Sequence, residues 1–308
     1  MCHLTTRLGK EKERPTDWTT LLRGLGRPFP SRWRRIARRI LFASSDRRRD
    51  LTMFRTSLRS TDVFLVGHPK SGNTWVAYLL AIILEDGDAR SRVNFANVGE
   101  FVPIIHGTDS RISRFDALRD PRFFRNEWPV YPDLYPKTLY LVRDPRAVLV
   151  SYFHHYRVVT GDETTSLDSF IDMYLRDGCI RAWEPQLIRW DRQVAHWTDH
   201  ARPVYIVKYE SLHEDRRAVL ESIVQFCGIE PAHDAIASAV ERGSFKAMRD
   251  EEGRSGAESY RNGLGRRGRF LRRGRVDGWR DELSPGAREA IENAFRPVMQ
   301  EIGYAIEP

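Results

Sequence analysis

The sequence predicts a single α/β domain: a parallel β-sheet flanked by helices and built around a P-loop-like phosphate loop. Three observations carry this expectation. Residues 62–75 read Asp-Val-Phe-Leu-Val-Gly-His-Pro-Lys-Ser-Gly-Asn-Thr-Trp. The apolar run 63–66 stops at Gly67, a short loop follows, and an apolar helical pattern fills 76–84. Further strand-like runs then alternate with helical stretches, which argues for parallel strands joined by helices. Finally, 308 residues can bury one sizeable core behind an N-terminal extension, better than they can build two domains.

The loop itself predicts anion binding. Backbone N–H groups and the positive end of a helix dipole converge where a strand, a Gly-bounded loop and a helix start meet. The spacing Gly67-x4-Gly72-x-Thr74 is close to a Walker A loop. Position 73, where a kinase or ATPase needs Lys, is Asn, and the cation sits earlier at Lys70. The loop therefore reads as a phosphate cradle outside the ATPase class.

Composition narrows the partners. Net charge is +8, and the sequence pI is near 9.6. The excess is almost entirely Arg, since the lysines are only Lys10, Lys12, Lys70, Lys137, Lys208 and Lys246. Such a balance suits anionic small molecules, nucleic acid or a membrane surface. Cys2, Cys179 and Cys227 are scattered and odd in number, which fits a reducing compartment and neither a disulfide framework nor a zinc site. No apolar stretch reaches the about 18 residues of a membrane span. The N-terminus lacks an apolar signal core, so a cytoplasmic protein is expected.

Taken in order, residues 1–59 form a basic extension, with a polar, poorly ordered lead-in over 1–30. Within it, Trp33, Ile36, Ala37, Ile40 and Leu41 recur at helical spacing among arginines, predicting an amphipathic helix over 31–42. With Arg47 to Arg49 it either packs on the domain or adsorbs to an anionic membrane face. The domain proper runs from 60 to 308. Segment 121–128 reads as a short strand, 138–142 as a buried one and 204–207 as a third. Asp144 and Pro145 suit a helix cap and first turn, opening a helix to about 159. Helical periodicity marks 167–176, 184–199, 214–227 and 232–242. Residues 249–269, rich in Gly, Arg and Ser, read as a long loop. Ser284 and Pro285 open a last helix that ends near 302.

The motifs in this order resemble the PAPS-dependent sulfotransferase family, most closely its cytosolic-type domain in a bacterial-like branch, over roughly 60–305. Pro69-Lys70-Ser71-Gly72-Asn73-Thr74-Trp75 is similar to the family's 5′-phosphosulfate loop, commonly Pro-Lys-Ser-Gly-Thr-Thr-Trp. Arg143-Asp144-Pro145-Arg146 with Ser151 resembles its 3′-phosphate element. Ser244-Phe245-x-x-Met248 and Phe270-x-Arg272-Arg273-Gly274 resemble two further nucleotide segments. The resemblance implies that Lys70 follows charge building on the departing phosphate. It implies that Ser71 and Thr74 add donors, and that Arg143, Ser151, Arg272 and Gly274 hold the 3′-phosphate. It further implies adenine stacking by Trp75 and Phe245, with Tyr209 beside the ring. The donor is then PAPS, no metal is expected, and transfer is direct and in line.

One departure concerns the base. Where the family typically has His, Arg125-Asn126-Glu127-Trp128-Pro129 offers Glu127, with Arg125 in place of Lys. Glu127 is the favoured base, and His106 and His68 are the alternatives. His154 and His155 read as packing or substrate-wall residues. Each residue alone has a plainer reading: Trp75 as core, Arg143 with Asp144 as a strand-to-helix turn, Arg272 and Arg273 as a solvated loop, Glu127 as a surface carboxylate. The order of the motifs is what lifts them. The acceptor is expected to be a small molecule, lipid or carbohydrate bearing a hydroxyl or amine. Nucleic acid is not expected as a partner, and a homo-oligomer is left open. The rivals are a P-loop kinase or hydrolase, which would want Lys at 73, and a basic membrane- or nucleic-acid-binding protein led by 31–49.

Overall fold

The structure is a computed structural model and describes residues 54–85, 93–105, 110–127, 132–178, 188–200, 203–255 and 271–307. These all lie in one compact unit, Asp50–Pro308. The expected amphipathic helix over 31–42, the basic stretch to 49 and His106 fall outside the described residues.

Four strands form one parallel sheet: β1 (Val63–Gly67), β2 (Phe123–Asn126), β3 (Lys137–Val142) and β4 (Val204–Lys208). Their order is β2-β1-β3-β4. Val66 pairs with Asn126 on one side, Gly67 pairs with Leu141 on the other, and Val142 pairs with Lys208. The C-terminal ends of all four strands therefore share one edge. The short strand read at 121–128 is the edge strand β2.

Side chains alternate across the sheet, so each strand feeds two cores. Phe64, Val66, Phe124, Tyr140 and Val142 pack on one face. There they meet α3 (Pro145–Thr160), α4 (Leu167–Asp177), α5 (Trp190–His200) and α10 (Pro285–Glu301). Val63, Leu65, Phe123, Leu139 and Leu141 pack on the other face. That face is covered by α1 (Asn73–Leu84), α7 (Arg216–Cys227) and α8 (Ala235–Arg242). Both faces are thus covered, as a parallel sheet requires. Helix α1 is apolar on every side after Thr74 and is buried along nearly its whole length. Among the described residues no helix is long and apolar enough to cross a membrane.

The caps follow the sequence. Asp144 accepts from the Arg146 N–H, with Pro145 in the first turn of α3. Ser284 accepts from the Ala287 N–H at the start of α10. Two boundaries differ. Helix α7 begins after its own cap, Asp215, and a separate turn, α6 (Ser211–Glu214), precedes it. The loop expected over 249–269 is helical to 255, because α9 (Phe245–Ser255) runs through its first part. Its apolar periodicity is weak because charge pairs support it instead. Lys246 meets Asp250 at 3.6 Å, and Arg254 meets Glu251 at 2.9 Å. A short helical turn, α2 (Val98–Phe101), lies between α1 and β2.

One buried ion pair anchors the start of the sheet. Arg122 gives Nε and Nη2 to the two oxygens of Asp62 at 2.8 and 2.7 Å, and Nη2 also donates to the Ser57 carbonyl. Both side chains of the pair are fully buried. Asp62→Ala would leave that guanidinium without its buried partner. It is expected to cost about 3–5 kcal/mol in urea unfolding; a loss below about 1 kcal/mol would show that the other contact of this guanidinium, Nη1 to the exposed Asp116 carboxylate at 2.6 Å, suffices.

Candidate active site

At the shared edge of the strands a cleft of about 460 Å³ opens, a usual size for a small-molecule site. The loop after β1 forms one wall through Lys70, Gly72, Asn73, Thr74 and Trp75. The end of β2 supplies Arg125 and Glu127, and the start of α3 supplies Arg143 and Ser151. Tyr209 follows β4, Phe245 and Met248 come from α9, and Arg272, Arg273 and Gly274 close the far side. Two predicted residues stand apart from the lining. Ser71 is buried beneath the loop with no hydrogen bond to its Oγ. Ser244 caps α9 through the Ala247 N–H at 3.3 Å.

The loop geometry follows from three residues. Gly72 has φ of 104°, and a Cβ there would lie 2.9 Å from the Tyr209 ring, so only Gly fits this turn. Lys70 itself sits at φ 72°. Its carbonyl accepts from Arg143 Nη1 at 3.1 Å, which ties the loop to the start of α3. The Arg143 guanidinium lies 4.1 Å from the centre of the Tyr209 ring. Its Nε is buried without a hydrogen bond, as is Nε of Arg216. The site therefore holds cationic donors short of acceptors, the pattern an anionic ligand completes.

Trp75 is set deeper than an open stacking platform. It is 6% exposed, and its Nε1 donates to the Gly243 carbonyl at 3.1 Å. Tyr209 and His213 meet it edge-on, and the Arg216 guanidinium lies 5.2 Å from its centre. Phe245 packs directly on Gly274, whose φ of 63° and missing Cβ make room for the ring. His213, His155 and Arg216 are cleft residues to which the sequence reading gave no place in the anion site. For His213 and Arg216 the sequence carries no local signal, because the non-helical Asp215 (φ −143°) breaks the chain between them.

The histidines here are poor proton acceptors near neutrality. His155 is pushed down to about 3 by burial and the Lys70 charge. His213 is pushed down to about 4 by burial and by Arg143 and Arg216. His68 is fully occupied: Nδ1 donates to the Pro69 carbonyl at 2.9 Å, and Nε2 accepts from the Tyr174 hydroxyl at 2.8 Å. That removes His68 from the alternatives for the base. Glu127, by contrast, faces the cleft, and its Oε1 accepts from Asn73 Nδ2 at 3.0 Å.

Residues 60–303 match the model of the sulfotransferase domain. The chain belongs to the sulfotransferase family. It is 25% identical to the amine sulfotransferase of Oryctolagus cuniculus, over 79% of this chain and 82% of that one. It is 26% identical to human (Homo sapiens) sulfotransferase 2B1, over 79% of this chain and 67% of that one. Among solved structures, mouse sulfotransferase SULT7A1 complexed with PAP aligns with a TM-score of 0.59 at 22% identity, covering 82% of this chain and 88% of that one. Retinol dehydratase in complex with androsterone and inactive cofactor PAP aligns with a TM-score of 0.62 at 20% identity, covering 82% and 83%. Both structures share the fold.

In this sulfotransferase the segment after residue 270 is held by its own carboxylates. Arg272 Nη1 meets Glu282 Oε1 at 2.5 Å, and His154 Nε2 meets Glu282 Oε2 at 2.6 Å. Burial alone would raise the Glu282 carboxyl, but the bonds from His154 and Arg272 outweigh it and lower it.

The buried His68 makes acid stability a test of this geometry. Burial, opposed by the Pro69 bond, pushes it down from 6.5 to about 4. Between those values the unfolded chain binds a proton that the folded chain does not. Stability therefore falls as pH drops through that window, by about 3 kcal/mol from this group. Replacing it (His68→Gln) should shrink the loss measured by urea unfolding between pH 7 and pH 4. An unchanged acid slope would refute the buried neutral imidazole.

Proposed function

We propose that the cleft binds PAPS and that the enzyme passes its sulfuryl group to a hydroxyl or amine of a small acceptor, with Glu127 as the base. The observation that carries the reading is the arrangement around one cleft. A cationic loop, a second cationic cluster and a carboxylate all meet at the shared edge of the strands. PAPS, when bound, supplies an activated sulfuryl group between its 5′-phosphate and the acceptor. The chain's residues fit a nucleotide with two anionic ends. Lys70 and the N–H groups at the start of α1 face one anion, and Lys70 meets charge as it builds on the leaving phosphate oxygen. Arg143, Ser151, Arg272, Arg273 and Gly274 hold the 3′-phosphate, where Arg143 Nε has a donor to give. Trp75, Tyr209, Phe245 and Met248 frame the adenine, and Ser244 supports Phe245 from behind by capping α9.

The proton balance assigns the rest. The acceptor's O–S or N–S bond forms as the S–O bond to phosphate breaks, and the acceptor proton passes to Glu127. Arg125, buried beside it with Nε on the Val102 carbonyl at 2.9 Å, keeps a cation near the reacting group. No step calls for a metal, because the sulfuryl group carries less charge than a phosphoryl group. The acceptor side of the cleft is apolar: Ile104, 48% exposed, bridges to Arg125 on the outer edge of β2. A lipid-like or aromatic acceptor suits that rim better than a carbohydrate. The amine and 3β-hydroxysteroid sulfotransferases among the relatives are named for acceptors of this small class.

The test is transfer from [³⁵S]PAPS to a panel of a phenol, a long-chain alcohol, a sterol, a primary amine and a monosaccharide. Labelled product on an apolar member is expected; label only on the sugar would overturn the acceptor class. Lys70→Ala should lower kcat at least a hundredfold with an unchanged circular dichroism spectrum, as loss of a transition-state donor does. Arg143→Ala should weaken PAP binding by calorimetry roughly tenfold to a hundredfold, the worth of a charge-assisted bond. An unaltered Kd would remove Arg143 from the phosphate site.

A further inference from the structure

We propose that Asn73 is a positioning residue: its carboxamide holds the Glu127 carboxylate in register with the anion loop. The inference rests on the reading of Glu127 as base, and deepens it. Asn73 Nδ2 donates to Glu127 Oε1 at 3.0 Å and also reaches the carbonyls of Gly67 at 3.2 Å and His68 at 3.4 Å. Three acceptors around one NH₂ group fix the amide's orientation, because the flipped amide would set its oxygen against two carbonyls and a carboxylate. The consequence is an Oδ1 buried without a hydrogen bond. It lies over Gly67, 2.6 Å from where a Cβ would stand. A buried acceptor left unsatisfied is a cost to folding, so stability alone does not account for the arrangement.

Position explains what it gains. Asn73 is the first residue of α1, and Glu127 is the first residue beyond β2. Their strands, β1 and β2, are paired up to Val66 and Asn126. The backbone of Glu127 is fixed separately, its carbonyl accepting from Gln193 Nε2 of α5 at 2.8 Å. Main chain and Oε1 are thus both held, and among the described residues no hydrogen bond engages Oε2. That oxygen is left to take the acceptor proton. Lys70 sits three residues before Asn73 on the same loop, so one rigid segment places both the leaving-group cation and the base. Positions 73 and 127 are also two at which the chain departs from the pattern of Thr and His that it otherwise resembles, and here they touch.

A double-mutant cycle tests this, with transfer from [³⁵S]PAPS measured to the best acceptor of the panel, water included. Asn73→Ala is expected to lower kcat roughly tenfold to a hundredfold, the effect of a misplaced catalytic group. KM for PAPS and the calorimetric Kd for PAP should stay within about twofold, a split that general loop damage would not give. In the Glu127→Gln background the same Asn73→Ala change should alter kcat by less than about twofold. Equal losses in both backgrounds, or a loss of PAP affinity with kcat intact, would overturn the positioning role while leaving Glu127 as base. Full turnover in Glu127→Gln alone would overturn the base reading, and the coupling with it. Asn73→Thr, which keeps a polar side chain but a shorter one, guards against a folding defect in the Ala variant. It should show the same split, and unchanged kcat in it would count against the proposal.

Discussion

The parallel pairing of β1 with strands on both sides is the constraint from which the site descends. Parallel strands cannot be joined by tight turns, so each connection crosses a face of the sheet and both faces acquire helices. It also sends every C-terminal strand end to one edge. The chain adds β2 on one side of β1 and β3 on the other, so the connections part between β1 and β3 and leave a crevice there. Gly67 marks the closest approach. A Cβ at that residue would stand 2.7 Å from the Leu141 carbonyl oxygen and 2.6 Å from Asn73 Oδ1. The strand end, its neighbour and the start of α1 can converge only because that side chain is missing.

A second network fixes the opposite wall. Arg146 is buried between Asp144, at 2.7 Å, and Glu292, at 2.6 Å, and lies 4.2 Å from the centre of the Trp279 ring. The Asp144 N–H is taken by Glu210 Oε1, whose other oxygen accepts from the Tyr304 hydroxyl. The start of α3 is therefore tied to α10, to the end of β4 and to the C-terminal segment at once. Arg143 is the residue just before it, and its guanidinium is held between the Lys70 carbonyl and the Tyr209 ring. The charges that surround the cleft are set by packing before any ligand arrives, which is how electrostatic preorganisation lowers a barrier.

The elements that were legible in the sequence are those whose cause is local. An apolar run ended by Gly, Asp-Pro after a strand, and Ser-Pro before a helix all speak through one or two residues, and the structure places β1, α3 and α10 accordingly. Helix α9 was missed over 249–255 because its support is charge pairing and contact with distant backbone. Arg249 donates to the carbonyls of Leu271 and Arg272, some twenty residues away. The same distinction divides the site. Lys70, Arg143 and Arg272 sit in motifs that carry their chemistry in order. His213, on α6, and Arg216, at the start of α7, enter the cleft by packing against Trp75 of α1, which no single stretch of sequence records. The contact of Asn73 with Glu127 spans 54 positions and follows from the β1–β2 register, so the sequence could show both departures without showing that they meet.

The carboxylates around Arg272 at first look like rivals of a phosphate. Glu282 meets Arg272 at 2.5 Å and Arg273 at 3.4 Å, so an incoming anion meets a carboxylate already in place. The donor count argues otherwise. A guanidinium carries five N–H donors, and Glu282 engages Arg272 through Nη1 alone. Glu282 is itself held from its other oxygen by His154 on α3. The carboxylate therefore acts as a strut between α3 and the 271–275 segment. An anion bound there would add a partner to a guanidinium already held in place, so less rotamer entropy of that long side chain would be lost on binding.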